Sequence, residues 1–165
     1  MKVRNKKMKS IIVLGLLIFF STASASKAND LYVSITLTET EHSRDSNSIK
    51  KIITLKGNKI VYEEMYSGFR ASEGEPPVRK EHTLTAQEIS KLKQLIKAKN
   101  LLRSGSLKYP PGKVPYRYYD LTVKVRLHGR RSLIKVAGPI KSDEMKNSRL
   151  YQATDALLEY VRAII

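Results

Sequence analysis

Leu31, Val33, Ile35 and Leu37 alternate with Tyr32, Ser34, Thr36 and Thr38. A period of two puts the apolar set on one side of an extended chain and the hydroxyl side chains on the other, the pattern of a strand with one buried face. After a polar stretch, Glu41 to Ser48, the residues Ile49, Ile53 and Leu55 share one face of a second strand, Ile49 to Lys56, whose row Lys51 interrupts. Gly57-Asn58 predicts a tight hairpin into a third strand, Lys59 to about Ser67, because both residues tolerate positive φ. Gly68, Gly74, Pro76 and Pro77 then break regular structure, so 68–77 is expected as an exposed loop, and Val78 to Thr83 as a short edge strand.

Thr85-Ala86-Gln87-Glu88 places a hydroxyl three residues before a glutamate, which lets each side chain satisfy a backbone N–H at a helix start. Ile89, Leu92, Leu95, Ile96 and Leu102 fall on one stripe of that helix, with Lys91, Lys93, Lys97 and Lys99 on its flanks and far side. Gly105, Pro110, Pro111, Gly112 and Pro115 predict a long loop over 103–117. Tyr119, Leu121, Val123, Val125 and Leu127 then alternate with Asp120, Thr122, Lys124, Arg126 and His128, and a turn near Gly129 leads to a partner strand through Ser132, Ile134 and Val136. This hairpin has one buried and one basic face. A final helical stripe, Leu150, Leu157, Val161 and Ile164, lies within about Ser148 to Ile165. The expected fold is α+β: an antiparallel sheet of about five to six strands packed against two helices, in the order βββ(β)-α-ββ-α.

The N-terminus changes the picture of where the chain works. Five bases within Met1 to Lys9 precede the apolar run Ile11 to Phe20, and Ser21-Thr22-Ala23-Ser24-Ala25 follows with small residues suited to signal peptidase. Ten helical residues span about 15 Å, half of a hydrocarbon core of about 30 Å, so the run is too short for a permanent span. The expectation is a signal peptide, 1–25, cleaved after Ala25, and a single α+β domain, 26–165, that is secreted or periplasmic and has no transmembrane span once cleaved. The chain has no cysteine, hence no lipid-anchor site, disulfide or thiolate metal site.

Of the formal net charge of +16, the signal carries five units, and the rest is concentrated. Between residues 91 and 135, thirteen lysines and arginines face only Asp120. Such a field attracts anionic partners at long range. Lys97, Lys99, Lys124, Arg126, Arg130 and Arg131 are the candidate residues for an anionic polymer or membrane surface. Tyrosines interleaved with these bases would also suit nucleic acid, but export argues against that partner.

Catalytic chemistry finds little to work with. His42, His82 and His128 show no i, i+4 pairing for zinc, so neither a metal site nor a cofactor is expected. Glu63 and Glu64 are adjacent on a strand and point to opposite faces, which makes them poor candidates for one paired-carboxylate site and suits surface charges on a sheet. Ser67 lacks the glycine pattern of a nucleophile elbow. The sequence is read as non-enzymatic.

From Lys59 to Ile165 the order of elements and several local patterns resemble emfourin, a family of small protein inhibitors of thermolysin-like metalloproteases. They include Ser67-Gly68-Phe69-Arg70-Ala71 after a strand, Leu84-Thr85-Ala86-Gln87-Glu88 opening the helix, and Asn100-Leu101-Leu102 after it. Tyr119-Asp120-Leu121-Thr122-Val123 then enters the hairpin, and Leu157-Leu158 lies in the last helix. The resemblance implies a protein partner, a secreted metalloprotease, blocked by a rigid surface from loops 68–77 and 104–117 with Phe69, Arg70, Tyr109 and Tyr116 as anchors. Two other readings stand beside it: a cationic envelope protein that binds an anionic polymer, and an immunity or accessory protein for a secreted toxin.

Overall fold

The computed structural model describes residues 30–41, 47–68, 71, 74–109, 117–139 and 143–165. The signal segment 1–25 and the loop residues Phe69, Arg70 and Tyr116 lie outside the described residues. Seven strands form one sheet: β1 Tyr32–Glu41, β2 Asn47–Lys56, β3 Lys59–Ser67, β4 Val78–Thr83, β5 Gly105–Lys108, β6 Arg117–Leu127 and β7 Arg130–Pro139. Two long helices, α1 Ala86–Ala98 and α3 Arg149–Ile164, and the single turn α2 Asp143–Lys146 complete the described elements.

The strand order is β4-β3-β2-β1-β6-β7-β5, and every pairing is antiparallel except β5 with β7. The expected purely antiparallel sheet of five to six strands is thus larger and mixed. β5 was hidden inside a segment punctuated by Gly and Pro, and it takes its extended form from pairing with β7, as in Leu107↔Val136. Gly105 starts it because α3 leans on that position: a Cβ there would come within 3.3 Å of Leu150 Cδ2.

Strand alternation sorts the sheet into two faces. The rows Tyr62-Ile53-Ile35-Val123-Ile134 and Ile60-Leu55-Val33-Val125-Ser132 run across neighbouring strands on the inner face. They pack with Leu92 and Ile96 of α1, Met145 of α2, and Ala153, Leu157, Leu158 and Val161 of α3 in one buried cluster. Burying each large apolar side chain contributes roughly 1.5–3 kcal/mol. The helices lie on this face, and the described residues leave the other face of the sheet uncovered.

Local chemistry sets the helix ends. Thr85 Oγ1 accepts from the Glu88 N–H while the Glu88 carboxylate accepts from the Thr85 N–H, the reciprocal cap expected from the sequence. At the other end Asn100 has φ 54°, Leu101 N–H donates to the Ile96 carbonyl at 2.9 Å and Asn100 N–H to the Lys97 carbonyl at 3.0 Å. That is a Schellman stop with asparagine in the left-handed position, and it drives Leu101 into the core. There the Leu101 carbonyl accepts from the buried Ser132 Oγ at 2.5 Å, which ties the end of α1 to β7.

Lys51, the break in the apolar row of β2, belongs to the inner face after all. It stands opposite Leu37 and Glu64, with its ammonium 3.9 Å from the Glu39 carboxylate. Glu64 accepts from the hydroxyls of Tyr62 and Tyr66. Burial alone would push the Glu64 carboxyl up, but the two hydroxyls, with Lys51 and Arg162, outweigh it and hold it below the ordinary value.

Candidate functional site

The same register that buries Val33 and Val125 turns a row of basic residues outward. Lys59, Lys56, Tyr32, Arg126 and Arg131 are consecutive neighbours across β3, β2, β1, β6 and β7. Strands lie about 4.8 Å apart, so this is a near-continuous line of cations interrupted by one aromatic ring. The adjacent rows on the same face add Lys124, opposite Ser34 and the exposed Leu133, and Lys135, opposite Thr122. Lys50 and Lys108 lie one row further on.

Ion pairing divides this face. Toward β4 its charges are compensated: Lys59 Nζ lies 2.6 Å from Glu81, and Arg79 lies 2.9 Å from both Glu63 and Glu81. Toward β7 they are not. Among the described residues, Lys56, Lys124, Arg126 and Arg131 have no carboxylate within 4.0 Å, and Arg126 Nε is buried without a hydrogen-bond partner. Arg126 and Arg131 oppose each other directly. Like charges in directly opposed positions destabilise a sheet, by up to about 1 kcal/mol per pair.

A depression of about 680 Å³ opens at this point, with Tyr32, Lys56, Lys124, Arg126, Arg131 and Ser104 on its walls. A second, of about 660 Å³, lies around the β5 edge between the end of α1 and the start of α3; Lys99, Arg103, Arg149 and Gln152 line it, together with Ser104 again. Ser104 Oγ accepts from the Leu133 N–H at 3.0 Å, which fixes the wall the two depressions share.

The chain matches no family model and no curated protein.

The structure separates residues that the sequence grouped by charge. Lys124, Arg126 and Arg131 share the sheet face that the described residues leave uncovered. Lys97 and Lys99 stand at the end of α1 on the helical side, and Lys99 reaches only the second depression. Arg130 begins β7 opposite Leu127, so its row is that of the inner face. Of the candidate loop anchors only Tyr109 is described, and it packs half-buried on the core with its Cβ 2.9 Å from where a Gly138 Cβ would stand. Counting charge along the chain does not single out Tyr32 and Lys56, because their segments balance in charge; the signal that marks them is their parity, out of phase with Leu31 and Leu55.

Glu63 and Glu64 do point to opposite faces, one toward Arg79 and the other toward Tyr62 and Tyr66. Among the described residues no group of three or more His, Asp or Glu side chains is placed to hold a metal ion, and no helix is long and apolar enough to cross a membrane.

Proposed function

We propose that this is an exported, non-enzymatic binding protein whose uncovered sheet face takes a linear polyanion. The observation that carries the reading is the directly opposed, uncompensated pair Arg126 and Arg131, flanked by Lys56 and Lys124 around one depression. An anionic ligand relieves their mutual repulsion. Arginine forks suit this role because their donors are planar and fixed, and they shed water more readily than ammonium groups. The reading is favoured over protease inhibition because the one described loop anchor, Tyr109, is engaged with the core.

The test is titration of the mature domain with long-chain polyphosphate at low and moderate ionic strength, beside the Arg126→Gln, Arg131→Gln double variant. Binding that weakens steeply with salt and falls at least about tenfold in the variant supports the proposal. No binding at low salt, or binding indifferent to the two substitutions, overturns it. Stoichiometric inhibition of a thermolysin-like protease in the absence of polyanion binding would restore the inhibitor reading.

A further inference from the structure

The two cationic depressions share a wall, and that wall is the sheet edge. Ser104 lines both; on one side stand Arg126, Arg131, Lys56 and Lys124, on the other Arg103, Lys99 and Arg149. β5, the strand at this edge, has only four residues. A chain leaving the open face beside Arg131 therefore passes Ser104 and Arg103 and meets the groove between α1 and α3. None of Lys99, Arg103 or Arg149 has a carboxylate within 4.0 Å among the described residues.

The start of α3 adds an independent sign of what the groove accepts. The first turn of a helix carries partial positive charge and favours an acid, yet α3 has no acid there and begins with Arg149. Arg149 and Gln152, one turn apart, both line the groove, so positive side-chain charge and the positive end of the helix meet in one concavity. That arrangement is unfavourable to the helix alone and is relieved by an anion.

Resting on the polyanion reading above, we infer that the ligand is a flexible, phosphate-bearing linear polymer that bends around the β5 edge and occupies both depressions at once. Flexibility is required by the geometry. A bilayer laid on the open sheet face is flat and cannot also enter a groove on the helical side, and a rigid duplex meets the same obstacle. Phosphate is favoured because four of the seven cations along the path, Arg126, Arg131, Arg103 and Arg149, are arginines, whose paired N–H groups match its oxygens two at a time. The groove then acts as a second site on the same molecule, raising affinity for ligands long enough to reach it.

The experiment compares tripolyphosphate, which fits within one depression, with long-chain polyphosphate and with vesicles rich in anionic phospholipid. Three forms of the mature domain are titrated: the natural sequence, Lys99→Gln with Arg103→Gln and Arg149→Gln, and a control that removes equal charge elsewhere, Lys80→Gln with Lys91→Gln and Lys97→Gln. The groove variant is expected to lose about tenfold in affinity for the long chain while keeping tripolyphosphate and vesicle binding within about twofold, and the control to show no such length dependence. Equal loss for short and long ligands, or no loss for either, overturns the wrapped path while leaving the open-face site standing. Failure of all three ligands to bind the natural sequence overturns both. Thermal melts of the three forms establish that any change is not one of folding.

Discussion

The guanidinium carbon of Arg126 stands 5.9 Å from the centroid of the Tyr32 ring, across the β1–β6 pairing that makes the two direct neighbours. The ring gives the cation a partner where no carboxylate of the described residues does, and it separates Arg126 from Lys56. Tyr32→Leu is expected to cost about 0.5–1 kcal/mol of folding stability, while Tyr32→Phe, which keeps the ring face, costs less. Urea denaturation midpoints of the two variants decide the matter: equal losses would mean that the contact is packing alone.

Ser132 is the polar member of an otherwise apolar inner row, and its hydroxyl is used. Replacing it by alanine leaves the buried Leu101 carbonyl without its 2.5 Å donor, at a cost of about 1–3 kcal/mol. Because that bond anchors the end of α1, hydrogen exchange should accelerate at Lys99 to Leu102 more than in β1. Uniform acceleration would show that the bond has no local role.

Thr85→Ala removes the side-chain acceptor at the start of α1 and should lower stability by about 1 kcal/mol, with Thr85→Ser restoring most of it. Thr85 also holds the Glu88 carboxyl below its ordinary value, chiefly through its backbone N–H and then its hydroxyl. Circular dichroism melts at neutral pH give the comparison; identical melting of the alanine variant and the natural sequence would mean that the cap is idle.

Glu64 gives the fold a pH dependence of known sign. Its folded-state pKa lies below the unfolded value, so its contribution is present above about pH 4.3 and is lost as pH falls through the folded-state value. The carboxyl is only half-buried, which keeps the effect modest. Glu64→Gln should therefore flatten the decline in stability between neutral and acid pH. A profile unchanged by the substitution would show that Tyr62 and Tyr66 confer nothing on the charged form.

The architecture was legible where period and punctuation coincide. The alternation from Tyr119 to Leu127 marks β6 almost to the residue, and the Thr85–Glu88 pair marks the start of α1. β5 and α2 were not legible, because four residues beside glycine and proline, and one turn holding Met145 in the core, draw their form from partners distant in sequence. The site divides the same way. The outward parity of Lys124 and Arg126 can be read within β6 alone. The alignment of Lys56 and Tyr32 with them depends on register between strands that no local pattern specifies, and the second depression depends on how α1, β5 and α3 converge. A run of charge counted along the chain mixes residues that strand parity and helix phase then send to different surfaces.

β1 sits at the middle of the sheet, and its two neighbours are far apart in the order of synthesis. Ile35 can meet Ile53 as soon as one hairpin closes, but it meets Val123 only after most of the chain has emerged. During that interval the first three strands have one apolar face and one unpaired edge open to other molecules, and no disulfide is available to hold them. Delivery of such a chain from its N-terminus makes pairing with the β6–β7 hairpin the event that closes the β1 edge, while the apolar face waits for α3, so damage to that hairpin should appear first as lost yield rather than as altered binding.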